Sequence, residues 1–135
     1  MSKEYLNPEA LFNSRQYGFS QIVAASAGKL VFMSGQVAWD ENQQVAGPND
    51  LGIQTRRSLE NVGVAVRAAG GAITDIVSLR IYILHERMAE SRSVREALLD
   101  FFPPDAQPAS TWIGVQSLAN KDFLVEIEAI AVIAD

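Results

Sequence analysis

Two carboxylates near the end of the chain are the residues best placed to do chemistry. Glu126 and Glu128 stand in residues 123–132, where apolar and β-branched residues otherwise dominate, so this run predicts a β-strand. Strand side chains alternate, which puts both carboxylates on one face among apolar neighbours. Charged groups rarely enter such a stripe unless they are paired, solvated or used. The carboxylates are therefore candidates for a site, and the alternative is a face that reaches solvent or a subunit interface.

Other reactive residue types are scarce. The chain has no cysteine, which removes disulfides, thiolate nucleophiles and cysteine metal sites together. Its one histidine, His85, cannot supply the imidazole shell of a common zinc site, and any Ser-His-Asp triad would have to use it. His85 follows a predicted strand, so a solvated turn is the favoured position. The sequence therefore predicts no metal site.

Length and charge limit the class of protein. The 135 residues predict one domain, 1–135, and 48% hydrophobic with 20% charged residues is typical of a soluble globular protein. A net charge of -5 disfavours nucleic acid, whose phosphates need a positive field. No apolar run approaches the roughly 20 residues of a membrane span, and the N-terminus has no apolar signal core. We therefore expect a cytoplasmic protein with no membrane partner.

The elements that would position the carboxylates follow the order β-β-α-β-α-β-β. The first two strands predict a hairpin, Asp50 is a plausible N-cap of the first helix, and Gly70-Gly71 ends it. A proline pair ends the second helix, and a short polar turn joins the last two strands. The predicted strands are 19–26, 30–37, 75–84, 108–115 and 123–132, and the predicted helices are about 51–69 and about 88–102.

Both helices are amphipathic and suit one face of a single mixed sheet, which makes an α+β layer. The other sheet face is then left bare. On the last strand that face holds either the Val125, Ile127 set or the Ile130, Val132 set, and both are too apolar to face water. A small domain with a bare apolar sheet should oligomerise.

Four motifs resemble the RidA/YjgF family in their order and spacing, over roughly residues 17–133. They are Ser-Gly-Gln at 34–36, Gln-Thr-Arg-Arg-Ser-Leu-Glu-Asn-Val at 54–62, Gly-Gly at 70–71 and Val-Glu-Ile-Glu-Ala-Ile-Ala at 125–131. The resemblance implies a chorismate-mutase-like α+β fold and a homotrimer with clefts between subunits. It also implies hydrolysis of reactive enamines and imines with no cofactor or metal. In the family an arginine binds the substrate carboxylate, and a glutamate of the last strand positions water.

The carry-over of family residues to this chain is mixed. The family's glutamate falls on Glu126, which is the expected catalytic residue. The cleft tyrosine falls on Phe19, which keeps the ring and loses the hydroxyl, although Tyr17 lies two residues away and could share the same face. The backbone of the family's cleft falls on Ser34, Gly35 and Gln36.

The family's arginine falls on Ser110, and the small residue two positions later falls on Trp112. A guanidinium grips a carboxylate with two charged hydrogen bonds, whereas serine offers one neutral donor, and losing such a bond costs about 1.5–3 kcal/mol. Ser110 and Trp112 share a strand face, so Trp112 either lines a pocket for an aromatic or apolar ligand or blocks it. Arg80, predicted on the face of Ile76, and Arg15 are alternative cations.

Three functions compete. The first is a hydrolase or deaminase diverged from the usual substrate, with Glu126 as general base or water-positioning group acting on a small enamine, imine or unsaturated acid. The second is a non-catalytic trimer that binds a small metabolite in a cleft lined by Trp112. The third, ribonuclease activity or inhibition of translation, is ascribed to some relatives and is disfavoured by the acidic charge. The enzyme is preferred to the binding protein.

Overall fold

The computed structural model describes residues 3–135. Within them lie six strands, two α-helices and three short 3-10 helices. The strands are β1 (Lys3–Leu6), β2 (Ile22–Ala25), β3 (Lys29–Gln36), β4 (Ile76–Leu84), β5 (Ala109–Val115) and β6 (Val125–Ile133). The α-helices are α1 (Leu51–Ala68) and α2 (Arg92–Phe101), and the 3-10 helices span Ser14–Tyr17, Ile73–Asp75 and His85–Glu90. The fold is mixed α+β, as the sequence predicts.

The ends of α1 follow local chemistry. The Asp50 carboxylate accepts a hydrogen bond from the Ile53 amide at 2.9 Å, which confirms it as the N-cap. After the last helical turn Gly70 takes a φ of 94°, a left-handed conformation that glycine adopts at no steric cost.

The second helix is shorter than predicted. It begins at Arg92 rather than near residue 88, because His85–Glu90 forms a 3-10 helix in which Arg87 binds the Glu90 carboxylate three residues on. It ends as predicted, since Phe102 is extended before Pro103 and a residue before proline avoids the helical region.

The main sheet has the strand order β3-β6-β4-β5, with β6 antiparallel to both its neighbours and β4 parallel to β5. The strands β5 and β6 are consecutive in the chain but not adjacent in the sheet, because β4 lies between them. The predicted hairpin between the first two strands is wrong. The segment β2 pairs with β1 instead, from Leu6 opposite Ile22 to Lys3 opposite Ala25. This partner was missed because its four residues are too few to show a pattern.

The helices cover one face of the main sheet. On β6 the buried set is Val125, Ile127, Ala129 and Ala131, so Glu126, Glu128, Ile130 and Val132 point to the other side, here called the open face. On β4 a register shift between Ile76 and Ser78 turns Ile76 into the core, where it is fully buried. The prediction that Arg80 shares a face with Ile76 is therefore wrong, and Arg80 lies with Tyr82 on the open face.

The open face is apolar at one end. Leu30 and Phe32 of β3 are 57% and 71% exposed, and they lie opposite Val132 and Ile130 of β6. The bare apolar surface expected from the sequence is therefore present at this end of the open face. Separately, no helix within residues 3–135 is long and apolar enough to cross a membrane.

Candidate functional site

The Glu126 carboxylate lies against the backbone of β3. Pairing between β3 and β6 slips between Met33 and Gln36, and Gly35 lies at this slip. A Cβ built on Gly35 would stand 2.0 Å from Oε2 of Glu126 and 2.8 Å from its Cδ. Glycine in a strand often marks such a close approach. Gly35 is therefore the residue of the Ser-Gly-Gln motif that the position of Glu126 requires, because any side chain at this position would displace the glutamate.

A cleft of about 290 Å³ opens beside this carboxylate on the open face. We call it the Glu126 cleft. Within residues 3–135 Glu126 has no hydrogen-bond or ion-pair partner, so its carboxylate is left for water or a ligand. The cleft is lined by Gly35, Tyr82, Leu118, Glu126 and Glu128.

The second carboxylate is engaged within the chain. The Tyr82 hydroxyl donates to Oε1 of Glu128, and Nη1 of Arg80 lies 3.9 Å from the same oxygen. The hydrogen bond to Glu128 raises the pKa of Tyr82 above its ordinary value, since it favours the neutral phenol. Glu128 thus orients a phenol and pairs with a cation, while Glu126 does neither.

The other residues of the Ser-Gly-Gln motif contribute less to this cleft. The Gln36 side chain donates to the Ser34 carbonyl at 3.1 Å. It lines a separate cavity of about 360 Å³ together with Arg57 and Asn61. Ser34 is exposed beside Gly35. Of the three predicted backbone residues, Gly35 is the one that lines the Glu126 cleft.

Ser110 and Trp112 lie on the opposite side of the sheet from Glu126. In the parallel register of β4 and β5, Ser110 pairs with Leu79 and Trp112 pairs with Ile81, and paired residues point to the same side of a sheet. Leu79 and Ile81 are buried beneath the helices. The two residues share a face, as predicted, but it is the helix side. The Ser110 hydroxyl and the Trp112 indole nitrogen are buried and have no hydrogen-bond partner within residues 3–135. A single chain therefore does not bring Glu126 and these residues together.

A second cleft, of about 370 Å³, lies beside Trp112. We call it the Trp112 cleft. The ring of Phe19 packs against Trp112 with centroids 6.3 Å apart, and Tyr17 lines the cleft itself. The structure therefore gathers the predicted Tyr17, Phe19 and Trp112 here, and Trp112 borders an open space. The cleft is lined by Tyr17, Ser91, Arg92, Arg95 and Trp112.

Tyr17 owes its position to a glycine. It ends the 3-10 helix Ser14–Tyr17, and Gly18 follows with a φ of 95°. A Cβ on Gly18 would stand 2.8 Å from the Cβ of Leu98, so the turn packs directly on α2.

Sequence reasoning missed two cations of the Trp112 cleft. Arg92 and Arg95 both lie on α2, and Arg92 pairs with Glu96 at 3.4 Å. Arg95 has no ion pair among the described residues; its Nε donates to the Gln16 carbonyl at 3.0 Å, and its guanidinium lies 5.1 Å from the centre of the Tyr17 ring. Their spacing of three residues on one helix indicated that the two arginines share a face. It could not indicate the aromatic neighbours, because these come from distant segments of the chain.

The two arginines that the sequence put forward as substitutes are engaged elsewhere. Arg15 donates from Nη2 to the Pro104 carbonyl at 2.8 Å, and Arg80 lies near Glu128 on the open face. Within residues 3–135, no three His, Asp or Glu side chains gather as a metal-binding group would require.

Comparison with known proteins gives the class. The family model described as endoribonuclease L-PSP matches residues 13–133. A RutC family protein of Pyrococcus horikoshii is 32% identical over 108 residues, which cover 80% of this chain and 82% of that protein. The 3-aminoacrylate deaminase RutC of Acinetobacter baylyi is 29% identical over 110 residues, which cover 82% of this chain and 84% of that protein.

A solved structure matches the whole fold. YyfB of Yersinia pestis, a Rid family protein of unknown function, superposes with a TM-score of 0.93 at 34% identity, covering 98% of this chain and 100% of that one. The chain belongs to the RidA/YjgF family, as its motifs indicated. Enamine and imine deaminases such as RutC occur in this family, so a deaminase-type role is supported at the level of the family.

Proposed function

We propose that the chain, taken as one RidA-like domain, is a hydrolase of deaminase type that acts on a small reactive enamine, imine or related unsaturated acid. The observation that carries the proposal is the unpaired Glu126 carboxylate, held against Gly35 in an open cleft. A positioned carboxylate with no partner of its own can accept a proton from water. RutC of Acinetobacter baylyi, named as a 3-aminoacrylate deaminase, supports this class of substrate.

Glu126 activates the water in this proposal. The carboxylate accepts a proton as the water oxygen bonds to the C=N carbon. Both hydrogens of the water end on the nitrogen, the C–N bond breaks, and ammonia leaves. The oxygen remains as the carbonyl of the product. An enamine first gains a proton on carbon from water and loses one from nitrogen to water, which gives the imine tautomer. Both substrates then follow one route, which calls for no cofactor or metal.

The working site lies between subunits of a homotrimer with a chorismate-mutase-like arrangement. Glu126 and Trp112 face opposite sides of one sheet, so a ligand that meets both must contact two chains. The exposed Leu30 and Phe32 supply an apolar face of the kind that a second chain would cover. Each complete site then joins the Glu126 cleft of one subunit to the Trp112 cleft of its neighbour.

The substrate differs from that of the better-known relatives. Ser110 stands where the family has its carboxylate-binding arginine, and its hydroxyl is buried. Rings from Tyr17, Phe19 and Trp112 surround the same region and favour a larger, apolar or aromatic body.

A second candidate is a trimer that binds a small metabolite without changing it. It is favoured by the loss of the arginine at Ser110, because catalysis needs a substrate that is held as well as a water that is activated. An RNA-directed role has little support, since the chain carries a net charge of -5.

A coupled assay tests the proposal. Purified protein is added to an amino-acid dehydratase that releases 2-iminopropanoate or 2-iminobutanoate, and to an amino-acid oxidase that releases aromatic imino acids, while keto-acid formation is followed. We expect acceleration above buffer, largest for the aromatic imines, and its loss in Glu126→Gln. Glu60→Gln, an exposed charge on α1, is the matched control and should stay active. If every imine decays at the buffer rate, imine hydrolysis is excluded. If Glu126→Gln keeps full activity, the proposed role of Glu126 is excluded.

A further inference from the structure

The Trp112 cleft is cationic. Its lining includes Arg92 and Arg95 and no carboxylate, in a chain whose net charge is -5. At about 370 Å³ it falls in the range of roughly 300–1,000 Å³ that is typical of small-ligand sites. Two positive groups and two aromatic rings in one cleft match a ligand with an anionic end and an apolar body.

Arg95 is held in place before any ligand arrives. Its Nε donates to the Gln16 carbonyl, and its Cζ lies over the Tyr17 ring, 5.1 Å from the centroid. Within residues 3–135 its two terminal Nη groups have no hydrogen-bond or ion-pair partner. A guanidinium fixed at Nε with both Nη groups free can offer them as parallel donors to a carboxylate.

Arg92 is held less firmly. Its side chain is 84% exposed and pairs with Glu96 one helical turn away at 3.4 Å. Exposed pairs of this kind are weak, so Arg92 adds positive potential at the mouth of the cleft rather than a fixed contact.

The polar groups that the sequence put forward for the ligand's carboxylate are not available here. The Ser110 hydroxyl and the Trp112 indole nitrogen are buried, and Arg15 is bound to the Pro104 carbonyl. Arg95 is therefore the one cation among these candidates that is both fixed and free at its donor end.

We propose that Arg95 binds the carboxylate of the ligand, with Arg92 in support, while Trp112 and Tyr17 contact its aromatic or apolar body. The anchoring role of the missing β5 arginine has moved to α2. This inference rests on the proposed function only in taking the Trp112 cleft as the substrate's, and it concerns binding, not hydrolysis.

The test compares two ligands that differ in charge alone. Phenylacetate and phenylacetamide are titrated into the full-length protein, and NMR signals of the Trp112 indole and the Arg95 side chain are followed. We expect phenylacetate to bind more tightly than the amide. Arg95→Gln should weaken the binding of phenylacetate by about tenfold or more, because a bidentate charged contact is lost, and should leave the affinity for the amide unchanged. Arg95→Lys should recover part of the loss.

Arg56→Gln is the matched control. It removes the same charge from α1, where Arg56 pairs with Asp100 at 2.8 Å, and should leave both ligands unaffected. Light scattering of each variant shows whether its assembly is unchanged. The proposal is overturned if wild type does not distinguish acid from amide, or if Arg95→Gln binds phenylacetate as wild type does. Glu126→Gln should still bind phenylacetate, so a failure of the hydrolase would not be mistaken for a failure of the anchor.

Discussion

The contact between Gly35 and Glu126 makes Gly35→Ala the most informative substitution in the chain. The added Cβ would stand 2.0 Å from Oε2 of Glu126, where ordinary contact begins at 3.4 Å, so the carboxylate must move by more than 1 Å. The Gly35 backbone has a negative φ, which alanine accepts without strain. The three nearest contacts of this Cβ are all with the Glu126 side chain and none is with backbone, so we expect the fold to remain stable while the position of the carboxylate is lost. A misplacement of about 1 Å can cost on the order of a hundredfold in rate.

The assay measures kcat in imine hydrolysis together with the thermal midpoint. We expect Gly35→Ala to lose about a hundredfold in kcat, with a shift of a few degrees at most in Tm. Gly114→Ala is the matched control, because its Cβ would make an ordinary contact with Cγ of Met88 at 3.5 Å. Wild-type turnover in Gly35→Ala would refute the reasoning. So would a crystal structure of that variant with Glu126 unmoved.

Three further predictions follow from other contacts. Gln54→Leu should lower the free energy of unfolding by about 2–4 kcal/mol in urea titrations, because this buried amide bonds three backbone groups, two of them just before β6. Glu128→Gln should bring the pKa of Tyr82 down towards 10.0, and NMR of the tyrosine ring would measure it. In the wild type the hydrogen bond between Tyr82 and Glu128 stabilises the fold below pH 10, and this stabilisation is lost as the pH rises through the raised pKa. Phe32→Asp places a charge on the exposed apolar face, so light scattering should give the mass of one chain for this variant, where we expect the mass of three chains for the wild type. An unchanged mass would show that this face is not the interface.

Much of the fold could be predicted from local signals. The N-cap at Asp50 and the stop before Pro103 depend on neighbouring residues alone, and the structure confirms both. The alternation of β6 is equally local, so the common face of Glu126 and Glu128 was predictable. The face of β6 that the helices cover was not predictable in the same way, because both faces carry several apolar residues.

The site was harder to predict because it depends on which strands are neighbours. Ser110 and Trp112 alternate correctly within β5, but their side of the sheet is set by the register with β4, which no local pattern encodes. Arg95 meets Tyr17 only because Gly18 lets an early turn pack on α2. Long-range contacts of this kind leave no periodic trace in the sequence.

Mixing two impaired variants, each changed in one of the two clefts, tests most directly the central claim that one site needs two chains. Glu126→Gln removes the open-face group, and Tyr17→Ala removes a ring from the Trp112 cleft. Random trimers formed from equal amounts should have about a quarter of their sites intact, with activity recovered in proportion. Glu126→Gln mixed with Gly35→Ala, where both changes fall on the open face, is the control and should recover nothing. Recovery in the first mixture alone is the result we predict, and equal activity in the two mixtures would contradict the account.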